Sequence, residues 1–85
     1  MPYKVVIKEE AHKDTIEAYE YYESKLFGLG ERFLIALRQR YEDLSLHPQH
    51  YSFIAEDHLN ILRDVKVNKF PYVIVFEISG SDVIV

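Results

Sequence analysis

The residue types that can do chemistry are few, and their spacing suits little of it. Four histidines are present, His12, His47, His50 and His58. His47 and His50 lie close in sequence but straddle Pro48, so they lack the helical register that puts two imidazoles on one ion. Solvated loop histidines are the simpler reading, and neither a metal nor a cofactor is expected. Ser45, Ser52, Ser79 and Ser81 have no glycine elbow to expose a nucleophilic hydroxyl. Gly28-Leu29-Gly30 is glycine-rich like a phosphate loop, but such loops join a strand to a helix, and here both flanks carry helical periodicity. A turn is expected there. Arg63, Lys66 and Lys69 around one predicted strand, and Arg32, Arg38 and Arg40 on a predicted helix, are the cations available for an acidic partner or a phosphate; solvated surface is the ordinary alternative for each.

Composition narrows the classes further. The chain has no cysteine, which removes disulfides, thiolate nucleophiles and sulfur-dependent zinc sites. Ten basic residues against fourteen acidic ones give a formal net charge of -4. Wrapping a polyphosphate calls for the opposite sign, so direct sequence-specific nucleic-acid binding is not expected. With 48% hydrophobic and 28% charged residues, the chain is too apolar to stay disordered and too charged to live in a bilayer. No apolar run approaches the roughly 18–20 residues of a membrane span, and Met-Pro-Tyr-Lys lacks the apolar core of a signal peptide, so the cytoplasm is the expected compartment. At 85 residues the chain is expected to form one domain with a thin core.

The elements that must position these residues can be read from periodicity. Tyr3 to Ile7 is a β-branched run expected to form a strand buried on both faces. Glu9 and Glu10 suit a helix N-terminus, and Ala11, Thr15, Ala18, Tyr19, Tyr22 and Leu26 share one arc of a helix running to about Lys25. Gly28 and Gly30 supply a tight reversal. A second helix, roughly residues 30–46, buries Phe33, Leu34, Leu37, Tyr41 and Leu44 and is stopped by Pro48. Tyr51 to Asn60 shows no period and is expected to connect, with one short extended piece. Ile61 to Val67 alternates as a strand with one wet face. Tyr72 to Ile78 is apolar on both faces, as in a central strand. Ser79-Gly80-Ser81-Asp82 turns the chain into a last strand, Val83-Ile84-Val85. The fold class is therefore α+β: an N-terminal strand, then an antiparallel helical hairpin packed on an antiparallel meander. Tyr19, Tyr22 and Tyr41 fall on core arcs and read as amphipathic core residues rather than a base-stacking platform.

Four local signatures in this order resemble the RelE/ParE superfamily of toxins from type II toxin–antitoxin pairs, particularly its ParE-like branch. They are Tyr3-Lys4-Val5-Val6-Ile7-Lys8-Glu9-Glu10-Ala11; the tyrosine-rich Ile16-Glu17-Ala18-Tyr19-Glu20-Tyr21-Tyr22-Glu23; Gly28-Leu29-Gly30-Glu31-Arg32-Phe33 with the later Leu44 and His47-Pro48; and Lys69-Phe70-Pro71-Tyr72-Val73-Ile74-Val75-Phe76. The resemblance covers nearly the whole chain and implies a cognate antitoxin whose extended tail wraps the toxin. In the superfamily the last strand continues several residues past the position of Val85.

Ribonuclease members of that superfamily cleave messenger RNA on the ribosome with basic residues on the middle strands, because in-line attack by a 2′-hydroxyl needs a base, an acid and cations for the phosphorane. The resemblance places the family's two lysines on Asp64 and Lys66 and its arginine on Val73. Lys66 is thus the sole matching catalytic candidate. The leading expectation is a non-catalytic ParE-like inhibitor of DNA gyrase; the alternatives are a ribosome-dependent mRNA endonuclease and an inactivated toxin that only binds its antitoxin. Ile16, Ile35 and Leu46 lie off the core arcs and mark an antitoxin or target surface, with Arg38, Arg63, Lys66 and Lys69 as cations that can meet a partner. Ile84 is expected to pair with the preceding strand. Val83 to Val85 would then be an apolar free edge in need of cover, by further residues or by a partner's strand, with a homodimer as fallback.

Overall fold

The helical period and the two-residue period of the sequence both appear in the computed structural model, which describes residues 2–85. The elements are β1 (Lys4–Val6), α1 (Glu9–Lys25), α2 (Leu29–Leu46), a 3-10 turn at Pro48–His50, β2 (Leu62–Lys66), β3 (Val73–Ser79) and β4 (Asp82–Ile84). This is the expected α+β arrangement. No side chain caps α1; Lys8 precedes it, and the carboxylates of Glu9 and Glu10 in its first turn complement the helix dipole instead. The Pro48 ring, which offers no N–H, stands just beyond the end of α2.

The four strands form one sheet in the order β1-β4-β3-β2. The meander β2-β3-β4 is antiparallel, with Val65 opposite Ile74 and Ile78 opposite Val83. β1 joins parallel to β4, Val5 opposite Val83, so the sheet is mixed. Ile84 pairs with Glu77 of β3, as expected.

Two strand expectations are corrected by this order. β1 is an outer strand rather than one buried on both faces: Lys4 is exposed, and Val5 and Val6 are half-buried. β4 is no free edge. It lies between β1 and β3, Val83 and Val85 are buried, and Val85 exchanges hydrogen bonds with Val6 (2.8 Å) and Lys8 (3.1 Å). Parallel pairing of the two ends of the chain supplies the cover that an apolar edge needs. At the other end of the sheet, Ile54 and Asp64 exchange backbone bonds with Leu62 and Ser52, so residues 52–54 shield the outer side of β2; Phe53 is the short extended piece.

The helices cover only one face of the sheet. Phe33, Leu37 and Leu44 from α2 meet Val65, Val67, Ile74, Phe76 and Val83 in the core. Each such burial contributes about 1.5–3 kcal/mol. β3 is central but not apolar-buried on both sides: Ile74 and Phe76 are buried, whereas Val73 stands 50% exposed and Val75 44% exposed on the uncovered face. Leu26, expected on the core arc, is exposed because α1 has ended and its backbone is extended there.

Tyr22, Phe33, Phe70 and Tyr72 form one aromatic cluster, with ring centroids 5.1 Å apart for Tyr22 and Phe33, 5.0 Å for Tyr22 and Phe70, and 5.0 Å for Phe33 and Tyr72. The last two pairs pack edge-on, which adds roughly 0.5–1.5 kcal/mol per pair to simple burial. The cluster joins α1, α2, the β2–β3 turn and the start of β3. Three of the four signatures therefore converge on packing, not on chemistry.

The hairpin reversal is also built differently from a two-glycine turn. Gly28 takes the left-handed φ of +86° that the reversal needs. Gly30 is already helical and buried, and a Cβ there would stand 2.7 and 2.8 Å from ring carbons of Tyr19. It is a contact glycine between helices.

Candidate functional site

Two surfaces carry the predicted residues: the uncovered sheet face and the outer side of the helical hairpin. On the sheet, cross-strand pairing places Lys66 beside Val73 and Asp64 beside Val75. Both charged side chains are exposed. Leu62 and Ile84 flank Glu77 on the same face. The face is thus aliphatic, with charges of both signs.

A cleft of about 360 Å³ lies between the start of α1 and β3. Lys8, Glu10, Asp14 and Glu77 are its formally charged lining residues. Three carboxylates against one ammonium disfavour a phosphodiester there. Tyr41 and Tyr72 line it too, and burial, followed by the neighbouring Tyr72, holds the Tyr41 phenol above its ordinary range, although a hydrogen bond with Thr15 works against this. A phenol so held is a poor general base at neutral pH.

The other predicted cations differ in how they are held. Arg63 is committed to the fold: its guanidinium donates to the Tyr51 carbonyl at 2.7 Å and lies 3.9 Å from the centroid of the Phe53 ring. Arg40, read from sequence only as a surface cation, donates Nε–H to the Lys66 carbonyl at 3.0 Å and pairs with Asp43 at 3.4 Å. Lys69 is exposed in the β2–β3 turn with φ at +70°, a left-handed conformation rare for a side-chain-bearing residue. Arg38 is exposed on α2. Of the four predicted cations, Arg63 is therefore not free charge, whereas Arg38, Lys66 and Lys69 are exposed.

The histidines also make no ligand set. His47 and His50 stack face to face, centroids 4.7 Å apart, so their planes are parallel rather than converging on a shared ion. Among the described residues no group of three or more His, Cys, Asp or Glu side chains stands close enough to hold a metal.

On the hairpin, Ile16 is 46% exposed, Ile35 54% and Leu46 57%. The helical wheel puts Ile16 and Ile35 on the outward rims of the groove between α1 and α2, with Arg38 nearly one turn beyond Ile35. Tyr19 lies in that groove. Burial first, then the charges of Glu23 and Glu31, raises its phenol above the ordinary value. Phe27, at the hairpin tip, is 93% exposed.

Sequence reasoning missed two organising carboxylates. Glu23 accepts from the backbone N–H groups of Gly28 and Gly30, each at 3.0 Å, and so caps α2 from the preceding helix. Its distance in sequence from the cap position hides it from the usual Ser/Thr/Asp pattern. Asp57 accepts from the N–H groups of Leu62 (2.6 Å), Ile61 (2.7 Å) and Leu59 (3.3 Å). Those bonds hold its carboxyl below the usual range, with His58 adding a little. An aspartate ahead of a strand was the available signal.

Among the described residues no helix is long and apolar enough to cross a membrane. No match is found among curated proteins or solved structures. The family model described as the ParE toxin of the type II toxin–antitoxin system parDE matches residues 5–85. That match takes in every helix and almost every strand residue described above, and the chain belongs to the ParE toxin family of type II toxin–antitoxin systems.

Proposed function

We propose that this toxin arrests growth without catalysis, as an inhibitor of DNA gyrase in the cytoplasm, and that an antitoxin silences it by docking on the outer side of the helical hairpin. The observation that carries the non-catalytic part is the charge of the sheet face. Lys66 and Asp64 stand two residues apart on the exposed side of β2, and Val73 faces Lys66 where the ribonucleases of the superfamily are expected to carry an arginine. At an effective dielectric of about 20, a unit charge roughly 4 Å from a phosphate is worth about 4 kcal/mol in either direction. Asp64 therefore cancels most of what Lys66 supplies. That leaves little net positive charge along β2 for the phosphorane, and the cleft beside β3 sets three carboxylates against Lys8.

The second half rests on Ile16, Ile35 and Leu46, exposed aliphatics on helices whose opposite faces are already packed. The test of the non-catalytic reading is direct. Purified toxin added to translating ribosomes leaves the messenger intact; codon-periodic cleavage that disappears in Lys66→Ala would overturn it and restore the endonuclease.

A further inference from the structure

The outer face of α1 is an unpartnered helix face, and its charge says what covers it. α1 holds six carboxylates, Glu9, Glu10, Asp14, Glu17, Glu20 and Glu23, against two lysines, Lys13 and Lys25. That difference of four equals the net charge of the whole chain, -4, so the remainder of the protein is neutral and the acidity belongs to this one helix. The carboxylates are not equivalent. Glu23 is bonded to Gly28 and Gly30, Glu10 and Asp14 line the cleft beside β3, and Glu9 pairs with Lys13 at 3.7 Å. Glu17 and Glu20 are exposed with no ion-pair partner among the described residues, and both adjoin the exposed Ile16.

Resting on the reading that the antitoxin docks on the hairpin, we infer that the antitoxin segment lying on α1 is net basic, and that it places an apolar residue between Ile16 and Ile35 with lysine or arginine against Glu17 and Glu20. An acidic tail would add like charge to a helix that already carries all of the protein's excess, whereas a basic one complements it and is steered to it. Arg38, on the rim contributed by α2, gives the groove a charge asymmetry that orients the segment across it.

The experiment uses full-length toxin and its cognate antitoxin, with affinity measured at low and high salt. Glu17→Lys with Glu20→Lys weakens the complex about tenfold at low ionic strength, and the difference shrinks as salt rises. Glu56→Lys, on the exposed loop before β2, leaves affinity unchanged. Glu17→Gln with Glu20→Gln gives a smaller loss in the same direction and replaces the lysine pair should that pair fail to fold. If the charge variants bind as well as or better than the parent while Ile35→Asp binds poorly, the hairpin is the docking site but its partner is not basic, and the inference is overturned. If neither the charge variants nor Ile35→Asp alters affinity, the docking reading itself fails.

Discussion

Glu23 on α1 and Gly30 on α2 are joined by a hydrogen bond of 3.0 Å from the Gly30 N–H to the carboxylate, and the companion bond to Gly28 makes Glu23 the cap of the helix that follows it. Tyr19, one turn earlier, closes over Gly30 so tightly that no Cβ fits. Gly30→Ala is expected to cost about 1–3 kcal/mol through forced displacement of the Tyr19 ring. Glu23→Ala is expected to cost about 0.5–2 kcal/mol, as for loss of other N-terminal caps. Urea unfolding measures both. Because the sites touch, Tyr19→Ala should recover part of the Gly30→Ala loss; simple additivity would show that the contact does not set the hairpin.

Phe33 has no exposed surface and sits at the centre of the aromatic cluster with Tyr22, Phe70 and Tyr72. Removing its ring costs about 3–5 kcal/mol. That is a large share of the roughly 5–15 kcal/mol by which native domains are stable. Phe33→Ala is therefore expected to unfold at a much lower temperature than the parent, followed by circular dichroism. Phe33→Leu should remain folded with a lower midpoint.

Much of this architecture was legible in the sequence, and the parts that were not have a common cause. The bounds of α1 and α2 follow from apolar period and the glycine and proline signals, all of which are local. The exposure of Ile16, Ile35 and Leu46 was legible for the same reason. The interior position of β4 was not, because the cover comes from β1 at the far end of the chain, and no local pattern reports a parallel pairing of the two termini. Gly30 read as a turn residue because sequence shows a missing side chain but not the Tyr19 ring that requires it. Arg63 read as a free cation because its acceptors, Tyr51 and Gln49, are carbonyls of an irregular segment.

Val83 and Val85, buried between β1 and β3, are expected to exchange their amide hydrogens slowly in the isolated protein, close to the rate set by global unfolding. Exchange at the unprotected rate would mean that β1 does not hold β4 and that the edge is open after all.

Asp57 gives a pH signature. Its folded pKa lies below the ordinary carboxylate value of about 3.9, so the stabilisation from its bonds to Leu59, Ile61 and Leu62 is complete above that value and is lost as pH falls through the lower folded pKa. Amides of Ile61 and Leu62 are expected to lose protection in acid before the core does. In Asp57→Ala they should be unprotected already at neutral pH, with the helices unaffected. Equal protection in the two proteins would show that the turn is held by its backbone alone.

The measurement that bears most directly on the central claim is supercoiling by purified DNA gyrase in the presence of toxin freed from its antitoxin. Dose-dependent inhibition is expected, relieved by adding antitoxin and retained in Lys66→Ala, because a non-catalytic inhibitor does not need Lys66 for chemistry. Full supercoiling activity at a large molar excess of folded toxin, alongside ribosome-dependent cleavage of messenger RNA abolished by Lys66→Ala, would contradict it.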